Sequence, residues 1–323
     1  MSITDVPLSA VITRALYAAT RAPSVHNTQP WRFTVAPALV EVHLDRERLL
    51  PVADPDGREA RMSCGAAVFN LRAALHAVGW GAVVELVPDR ERPDLLAVVR
   101  FTGRYSPTSE QLALASAIDR RSTSRRPFTD QSIPPSDQLA LSRAAEGEQA
   151  HLVLLETPDA LDTLATLSRR ADHTQEEDPE FQRELLKWTE YGDDREDGVP
   201  RNAGGPRPIG GAQLALRRFP ADASERTFEQ DALVAILATH GDSPLEHVRA
   251  GMALQAVLLT ATVAGLSTSF LSQPVEVPQT RTALRSLLPE PGHPQTVLCI
   301  GYGHPAAPTR RRPVTAVTTN REE

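Results

Sequence analysis

Apolar side chains near the start of the chain follow a helical period. They recur three and four positions apart, at Leu8, Val11, Ile12, Ala15, Leu16 and Ala19. This spacing places them on one face of an amphipathic helix. Because a residue that precedes proline disfavours the helical conformation, the helix is predicted to end before Pro23. A turn rich in polar side chains follows, and residues 32–35 and 40–44 then show the short apolar runs of strands.

The alternation of helix and strand patterns continues to the end of the chain. Helices are predicted at residues 61–78, 111–119, 136–145, 248–264 and 279–287, and strands at 83–87, 95–101, 151–156, 233–239 and 296–300. Residues 171–232 interrupt this order with acidic runs and a glycine- and proline-rich stretch at 204–211. Long connections of this kind are usually lids, binding loops or disordered insertions. We therefore predict an irregular insertion here, and a loosely held tail at the last residues.

The two most apolar helices resemble each other. Each is apolar nearly all round, as a central helix should be, and each has a pair of glycines at the same spacing, Gly65 with Gly79 and Gly251 with Gly265. Two alanine-rich helices can look alike by chance, but here the order of helix, strand, central helix and strand repeats as well. This order favours an α+β fold duplicated within one chain, with halves at residues 1–105 and 106–323. If the unit normally dimerises, one chain folds as its own pseudo-symmetric dimer.

Composition narrows the functional classes. The net charge of -7 argues against general nucleic-acid binding, which needs a cationic surface. The apolar run at 250–266 is short and interrupted by polar residues, so no membrane span is expected. The first residues lack the pattern of a secretory signal, and a cytoplasmic protein is expected. Cys64 and Cys299 lie far apart in apolar surroundings and are predicted to be core residues. No metal-ligand pattern occurs among the histidines.

Two segments carry the candidate chemistry. Residues 22–33 read APSVHNTQPWRF, and residues 120–130 read RRSTSRRPFTD. Taken alone, the first is ordinary turn chemistry, and the arginines are weak signals because Lys187 is the single lysine among 34 basic residues. The full strings are more specific. Together with AGMALQAVLLTAT at 250–262 and RRRP at 310–313, they resemble the FMN-dependent nitroreductase superfamily, and its Acg-like branch in particular.

The resemblance implies two antiparallel sheets around the central helices and an FMN site built from both halves. The phosphate segment of the family matches Arg120 and Ser122. Ser124 stands where a further basic residue is expected, which leaves Arg125 and Arg126 as alternatives. Arg311 matches a basic residue near the phosphate, with Arg310 and Arg312 as alternatives. The other residues implied at the cofactor are Pro23, Ser24, Val25, His26, Asn27 and Gln29 of the turn and Leu271, Ser272 and Gln273 after the second central helix. His26 could contact the ligand or cap the local backbone.

The resemblance also implies two alternative functions. The first is a ping-pong oxidoreductase, in which NAD(P)H reduces flavin N5 by hydride transfer and a nitroaromatic or quinone then takes the electrons. Because the flavin does this chemistry, no catalytic side chain is predicted. The second is a catalytically silent FMN storage protein, whose insertion closes as a lid over the flavin. The signature turn occurs only in the first half and the RRS segment only in the second, so one FMN per chain is expected, in a monomer that acts as an intramolecular dimer.

Overall fold

The computed structural model describes residues 7–126, 128–189, 195–200, 207–208, 225–226, 232–303 and 309–321. The first half contains α1 (Leu8–Thr20), β1 (Trp31–Ala36), β2 (Leu39–Leu44), α2 (Arg58–Ala77), β3 (Trp80–Leu86) and β4 (Leu95–Arg104). The second half contains α3 (Ser109–Ala117), α4 (Pro135–Glu146), β5 (His151–Leu154), α5 (Pro158–Glu176), α6 (Pro179–Thr189), β6 (Arg207–Pro208), β7 (Glu225–Arg226), β8 (Leu233–Thr239), α7 (Pro244–Val263), β9 (Ser267–Phe270), α8 (Gln273–Glu276), α9 (Pro278–Leu284), β10 (His293–Gly301), α10 (Val314–Val317) and β11 (Thr318–Asn320).

The two halves have the same strand topology. The strands of the first half lie in the order β1-β2-β4-β3, and those of the second in the order β5-β8-β10-β9. Each of these neighbouring pairs is antiparallel. Each half also has one long helix at the same place in the chain: α2 lies between β2 and β3, and α7 lies between β8 and β9. The predicted α+β fold, duplicated within one chain, is confirmed.

The central helices α2 and α7 touch through their backbones. A Cβ atom added to Gly65 would lie 2.1 Å from the carbonyl oxygen of Val248, and one added to Gly251 would lie 1.9 Å from that of Met62. Only glycine leaves room for this approach. Exchanging the two halves converts one contact into the other, which is the contact expected at a two-fold axis. No described helix is both long enough and apolar enough to cross a membrane.

Two further observations identify equivalent positions in α2 and α7. Gly79 and Gly265 follow the ends of the two helices with φ of 76° and 75°, the left-handed conformation that glycine commonly adopts after a helix. Near the helix starts, Arg61 Nε donates a hydrogen bond to His247 Nδ1 (3.2 Å), and these residues lie 186 positions apart. Gly65 and Gly251 have the same separation, so Arg61 and His247 occupy the same position in the two halves.

Each central helix contributes to the core of the other half. Val248 and Leu259 of α7 pack in the core cluster of the first sheet, and Met62 of α2 packs in a core cluster of the second half. A buried polar link adds to this, because Gln255 Nε2 donates to Asn70 Oδ1 (2.7 Å). Cys64 and Cys299 are buried free thiols, as predicted. The two halves therefore share core packing across the α2–α7 crossing.

The expectation of a long irregular connection is wrong for residues 171–189. Most of this stretch is helical, in the end of α5 and in α6. The side chains of Phe181, Leu185 and Trp188 recur at helical spacing and pack against Leu50 and Ala53 of the first half. Because acidic residues surround this apolar stripe, the composition of the segment does not indicate a helix. Acidic positions 193–194 and most of the glycine- and proline-rich stretch at 204–211 lie outside the described residues.

The expectation of loosely held last residues is wrong for residues 318–320, and residues 322–323 lie outside the described part of the chain. Strand β11 pairs with β1 in parallel, with Phe33 opposite Thr318 and Val35 opposite Asn320. The outer edge of β1 presents N–H and C=O groups that need partners, and the tail supplies them. This pair extends the first sheet to the order β11-β1-β2-β4-β3, so the tail of the second half completes the sheet of the first.

Candidate functional site

The turn between α1 and β1 has an unusual backbone. The described residues include five non-glycine positions with positive φ, and three of them lie here: His26 (49°), Asn27 (56°) and Gln29 (54°). Such angles are rare for residues with a Cβ atom and cluster at functional sites. The Ser24 hydroxyl accepts a hydrogen bond from the Gln29 N–H (3.0 Å), which closes the turn. His26, Asn27 and Gln29 are buried, while Pro23, Ser24 and Val25 are half-buried.

The C-terminal tail binds directly to this turn. Asn27 Nδ2 donates to the carbonyl oxygen of Arg310 (3.1 Å), and the Arg312 N–H donates to Gln29 Oε1 (2.8 Å). Arg311 donates from Nη2 to the carbonyl oxygen of Ala22 (3.2 Å). These three contacts join residues almost 300 positions apart. They bring the predicted Arg311 beside the predicted turn residues.

The two arginines at the start of the RRS segment differ in burial. Arg120 is exposed, and its Nε atom donates to the carbonyl oxygen of Ser116 on α3 (3.4 Å). Arg121 is only 7% exposed, and its Nε and Nη1 atoms have no hydrogen-bond partner among the described residues. Ser122 is half-buried, and the Ser124 N–H donates to the carbonyl oxygen of Thr268 (2.7 Å), which runs the segment alongside β9. The structure therefore turns Arg121, and not Arg120, towards the interior.

Arg121 belongs to a cationic cluster with Arg21 and Arg311. Burial lowers the pKa of Arg121 to about 10, and the nearby charge of Arg21 lowers it as well. Burial lowers the pKa of Arg311 to about 9, with Arg121 and Arg21 adding to the effect. Burial also lowers the pKa of Arg125 to about 10. All of these groups stay protonated at neutral pH, so the cluster concentrates positive charge beside the turn.

The turn after β9 places its three predicted residues in different surroundings. Leu271 is fully buried in a core cluster, and its N–H donates to the carbonyl oxygen of Val297 (3.0 Å), so both are engaged within the protein. Ser272 is half-buried at the start of α8. Gln273 is fully buried, and in the described part of the chain neither its Oε1 nor its Nε2 atom has a hydrogen-bond partner. A buried amide without partners is costly, and Gln273 is the residue of this turn best suited to a ligand.

Residues 195–199, which we call the strap, cross the signature turn. Gln29 Nε2 donates to the carbonyl oxygen of Glu196 (2.8 Å), and Asn27 Nδ2 donates to that of Gly198 (3.1 Å). Asp197 forms an ion pair with Arg48. Burial alone would raise the pKa of Asp197, but hydrogen bonds from Arg195 and Arg48 lower it overall. The strap is therefore fastened to the turn.

An open cleft of about 640 Å³ lies between the strap and the tail. Its lining residues are Glu196, Asp197, Arg310, Arg311 and Arg312. This volume falls within the range of small-molecule sites. Beside the cleft, Asn27 Oδ1 and Arg311 Nε are buried and find no partner among the residues described. The surroundings thus combine an unpaired amide acceptor with unpaired cationic donors, an arrangement that suits an anionic ligand with a polar ring system.

The comparison with known proteins places the chain in a family. Residues 117–304 match the Nitroreductase family. A candidate NAD(P)H nitroreductase of Mycobacterium tuberculosis, Rv3131, is 35% identical over 99% of this chain and 94% of its own length. A second candidate NAD(P)H nitroreductase of that organism, acg, is 32% identical over 95% of each chain. This chain belongs to the nitroreductase family, and the predicted resemblance is confirmed.

One solved structure agrees with this assignment at the level of the fold, and a second shows only a weaker similarity. A nitroreductase-like protein from Anabaena variabilis covers 92% of this chain and 88% of its own, with a TM-score of 0.50 and 11% identity. A nitroreductase with bound FMN from Bacteroides fragilis covers 62% of this chain and 92% of its own, with a TM-score of 0.38 and 15% identity. The Anabaena protein spans nearly all of both halves.

Arg121 is a candidate site residue that the sequence analysis did not single out, although a signal was available. Residues 117 and 118 at the end of α3 are buried, and the Arg121 N–H donates to the carbonyl oxygen of Ala117 (2.9 Å) in the helical pattern. Arg121 therefore continues the buried face of α3 one turn further. Arg120 continues the exposed face of Ser116 in the same way. Helical period, and not the motif alone, distinguishes the two arginines.

Proposed function

We propose that this protein is an FMN flavoprotein whose site lies at the cleft between the signature turn, Arg121 and the C-terminal tail. The observation that carries the proposal is the group of buried polar atoms at this place that have no partner within the described chain. They are Nε and Nη1 of Arg121, Nε of Arg311 and Oδ1 of Asn27. FMN carries a phosphate dianion and a ring with polar edges, and burying it requires groups of both kinds. Membership of the nitroreductase family supports the same cofactor.

The residues of the site divide into contacts and supports. Arg121 and Arg311 are the candidates to hold the phosphate, and the amides of Asn27 and Gln273 are the candidates to face the ring. Gln29 acts as a positioning residue, because its Nε2 donates to the strap and its Oε1 accepts from the tail. Ser122, Arg125 and the remaining turn residues stay candidates on sequence grounds.

The proposed activity is reduction of nitroaromatics or quinones at the expense of NAD(P)H. When bound, FMN supplies the hydride-accepting and electron-donating chemistry. The chain's own tasks are then to bind the cofactor, orient it and keep water from its buried face. These tasks need neither a general acid nor a nucleophile.

One site per chain follows from the unequal halves. The connection from α1 to β1 spans residues 21–30, whereas the equivalent connection from α4 to β5 spans only residues 147–150. At this connection the second half therefore has no counterpart of the signature turn. The chain acts as an intramolecular dimer that assembles a single FMN site as a monomer.

FMN storage is the second candidate function, and the strap favours it. Its hydrogen bonds to Asn27 and Gln29 hold the strap against the turn. A segment fastened in this way restricts approach to the flavin. Under this alternative the protein binds FMN and does not exchange electrons with NAD(P)H.

Two measurements on the purified protein test these proposals. We expect FMN to be retained at one molecule per chain, as measured by absorbance after denaturation against protein concentration. Two molecules per chain, or none, would contradict the single composite site. Anaerobic mixing with NADPH or NADH should bleach the flavin absorbance if the protein is an oxidoreductase. A spectrum that stays oxidised with both nucleotides supports storage.

A further inference from the structure

Two histidine side chains meet at one end of the second sheet. His151 begins β5, and His240 follows the last residue of β8. The two strands are antiparallel neighbours, with His151 opposite Ala238. Side chains two residues apart in a strand point to the same face, so His240 lies diagonally across from His151 on that face. Because 89 positions separate the two histidines, no local sequence pattern indicates the pair.

The two imidazoles meet nitrogen to nitrogen. Their Nε2 atoms lie 3.0 Å apart, and the rings are nearly perpendicular, at 79°, with centroids 4.7 Å apart. Both side chains are exposed. The ion pairs that histidines form with carboxylates in the described part of the chain involve other positions, namely His43, His173, His247 and His293. In a hydrogen bond between two neutral imidazoles, one Nε2 donates and the other accepts.

The spacing of the two nitrogen atoms also fits a shared metal ion. Imidazole nitrogens bind Zn²⁺ at about 2.0–2.1 Å. Two of them on one ion therefore lie about 2.9 Å apart at a right angle and about 3.3 Å apart at the tetrahedral angle. The observed 3.0 Å falls between these two values. Small rotations of the rings are then enough to aim both lone pairs at one ion.

The donor set selects the class of cation. Imidazole suits Zn²⁺, Cu²⁺ and Ni²⁺, whereas Mg²⁺ prefers oxygen ligands. Among the described residues no group of three or more His, Cys, Asp or Glu side chains could hold a metal ion, so water has to complete the coordination. A site of this kind is open and exchanges its ion, unlike a structural zinc site with four protein ligands.

We propose that His151 and His240 form a binding site for a borderline divalent cation such as Zn²⁺, which takes the place of the proton between the two rings. The ring that donated then carries its proton on Nδ1, and both Nε2 atoms bind the ion. Strand β5 has four residues and, within the described chain, pairs with β8 alone. The ion fastens this short edge strand to the loop that leads into α7. None of the residues that line the cleft takes part, and no flavin is required.

The first test measures zinc affinity and thermal stability of the full chain in phosphate-free buffer. Calorimetric titration gives the Kd for Zn²⁺, which should rise by about tenfold or more in His151→Gln and in His240→Gln, since one of two nitrogen–metal bonds is lost. Zn²⁺ at about ten times its Kd should raise the wild-type melting temperature by about 2–4 °C, and Mg²⁺ should not. Either variant should lose this rise, and the double variant should lose no more than a single one.

His173→Gln is the matched control for these measurements. His173 is also exposed and lies beside a carboxylate, with its Nε2 3.4 Å from Glu177 Oε1. The control should keep both the zinc affinity and the rise in melting temperature. Absence of a rise in the wild type would overturn the proposal. Loss of the rise in His173→Gln together with its retention in His151→Gln would overturn it as well.

The second test locates the ion by hydrogen exchange. Zn²⁺ should slow exchange of the backbone amides of β5 in the wild type, because the ion holds the edge strand closed. In His240→Gln, which leaves the sequence of β5 unchanged, the same amides should exchange at one rate with and without Zn²⁺. Protection confined to other segments, or equal protection in His240→Gln, indicates an adventitious ion only and contradicts the site.

Discussion

His247 is kept in its neutral form mainly by burial, against the effect of a neighbouring carboxylate. Its Nε2 contacts Asp242 Oδ1 (2.9 Å), and its Nδ1 accepts from Arg61 Nε (3.2 Å). An imidazole that accepts a hydrogen bond at Nδ1 carries its proton on Nε2, so Nε2 is the donor to Asp242. Burial lowers the pKa of His247 to about 4, against the opposing effect of Asp242. The residue therefore couples the folded state to pH.

We predict that stability falls as the pH drops from about 6.5 to about 4. In this range the unfolded chain gains a proton on residue 247 and the folded chain does not, so the unfolded state is favoured. The loss is at most roughly 3 kcal/mol. Urea unfolding at several pH values measures it. His247→Gln should flatten the profile in this range, whereas His173→Gln, at an exposed position, should follow the wild type. A His247→Gln profile as steep as the wild type would contradict the prediction.

The surroundings of individual side chains were the least predictable from the sequence. The motif identified the signature turn, and the structure brings Asn27, Gln29 and Arg311 together there. It did not distinguish Arg120 from Arg121, because burial depends on how α3 ends. That the Gln273 amide finds no hydrogen-bond partner among the described residues could not be predicted either, since this depends on every group that packs around it.

The crossing of α2 and α7 gives a prediction at the scale of elements. Gly65→Ala should destabilise the protein by about 1–3 kcal/mol or more, because the new methyl group meets the backbone of Val248. Intrinsic helix propensity would favour alanine by about 1 kcal/mol, so the clash has to outweigh it. Gly103→Ala is the matched control, because no described atom lies within 4 Å of its added Cβ. Chemical denaturation measures both, and equal stabilities would contradict the close crossing.

Elements with a strong local pattern were predicted well, and those defined by distant partners were not. The pattern gave 61–78 and 248–264 for the central helices, close to the observed Arg58–Ala77 and Pro244–Val263. Strand β11 has only three residues and exists because β1 offers it an edge. No local signal in residues 318–320 reports that edge. Helix α6 does have an apolar stripe, but its acidic surroundings masked the pattern.

Removal of the tail gives a prediction at the scale of the whole molecule. A chain that ends at residue 308 loses Arg311, the tail contacts to Asn27 and Gln29, and strand β11. We expect a lower melting temperature and an FMN Kd raised by about tenfold or more, since a charge-assisted contact is lost. A chain that ends at Val317 keeps Arg311 and loses β11, and should be less stable while it still binds FMN. Similar FMN affinity in both truncated chains would contradict a role for the tail in the site.

The duplication was the whole-molecule property most accessible from sequence. Matching glycine pairs in the two central helices predicted it, and the shared strand topology agrees. The joining of the halves through the tail was not predictable, because it pairs residues at opposite ends of the chain.

Arg61 and His247 occupy equivalent positions in the two halves but are different residues. In an assembly of two identical copies, a residue on the symmetry axis always faces itself, and two arginines there would repel. A continuous polypeptide removes this restriction, because each side of the axis is encoded separately. Arginine can then meet a neutral imidazole that accepts its hydrogen bond. Within one chain, two equivalent positions at the axis can therefore carry unlike residues, which they cannot do in a homodimer.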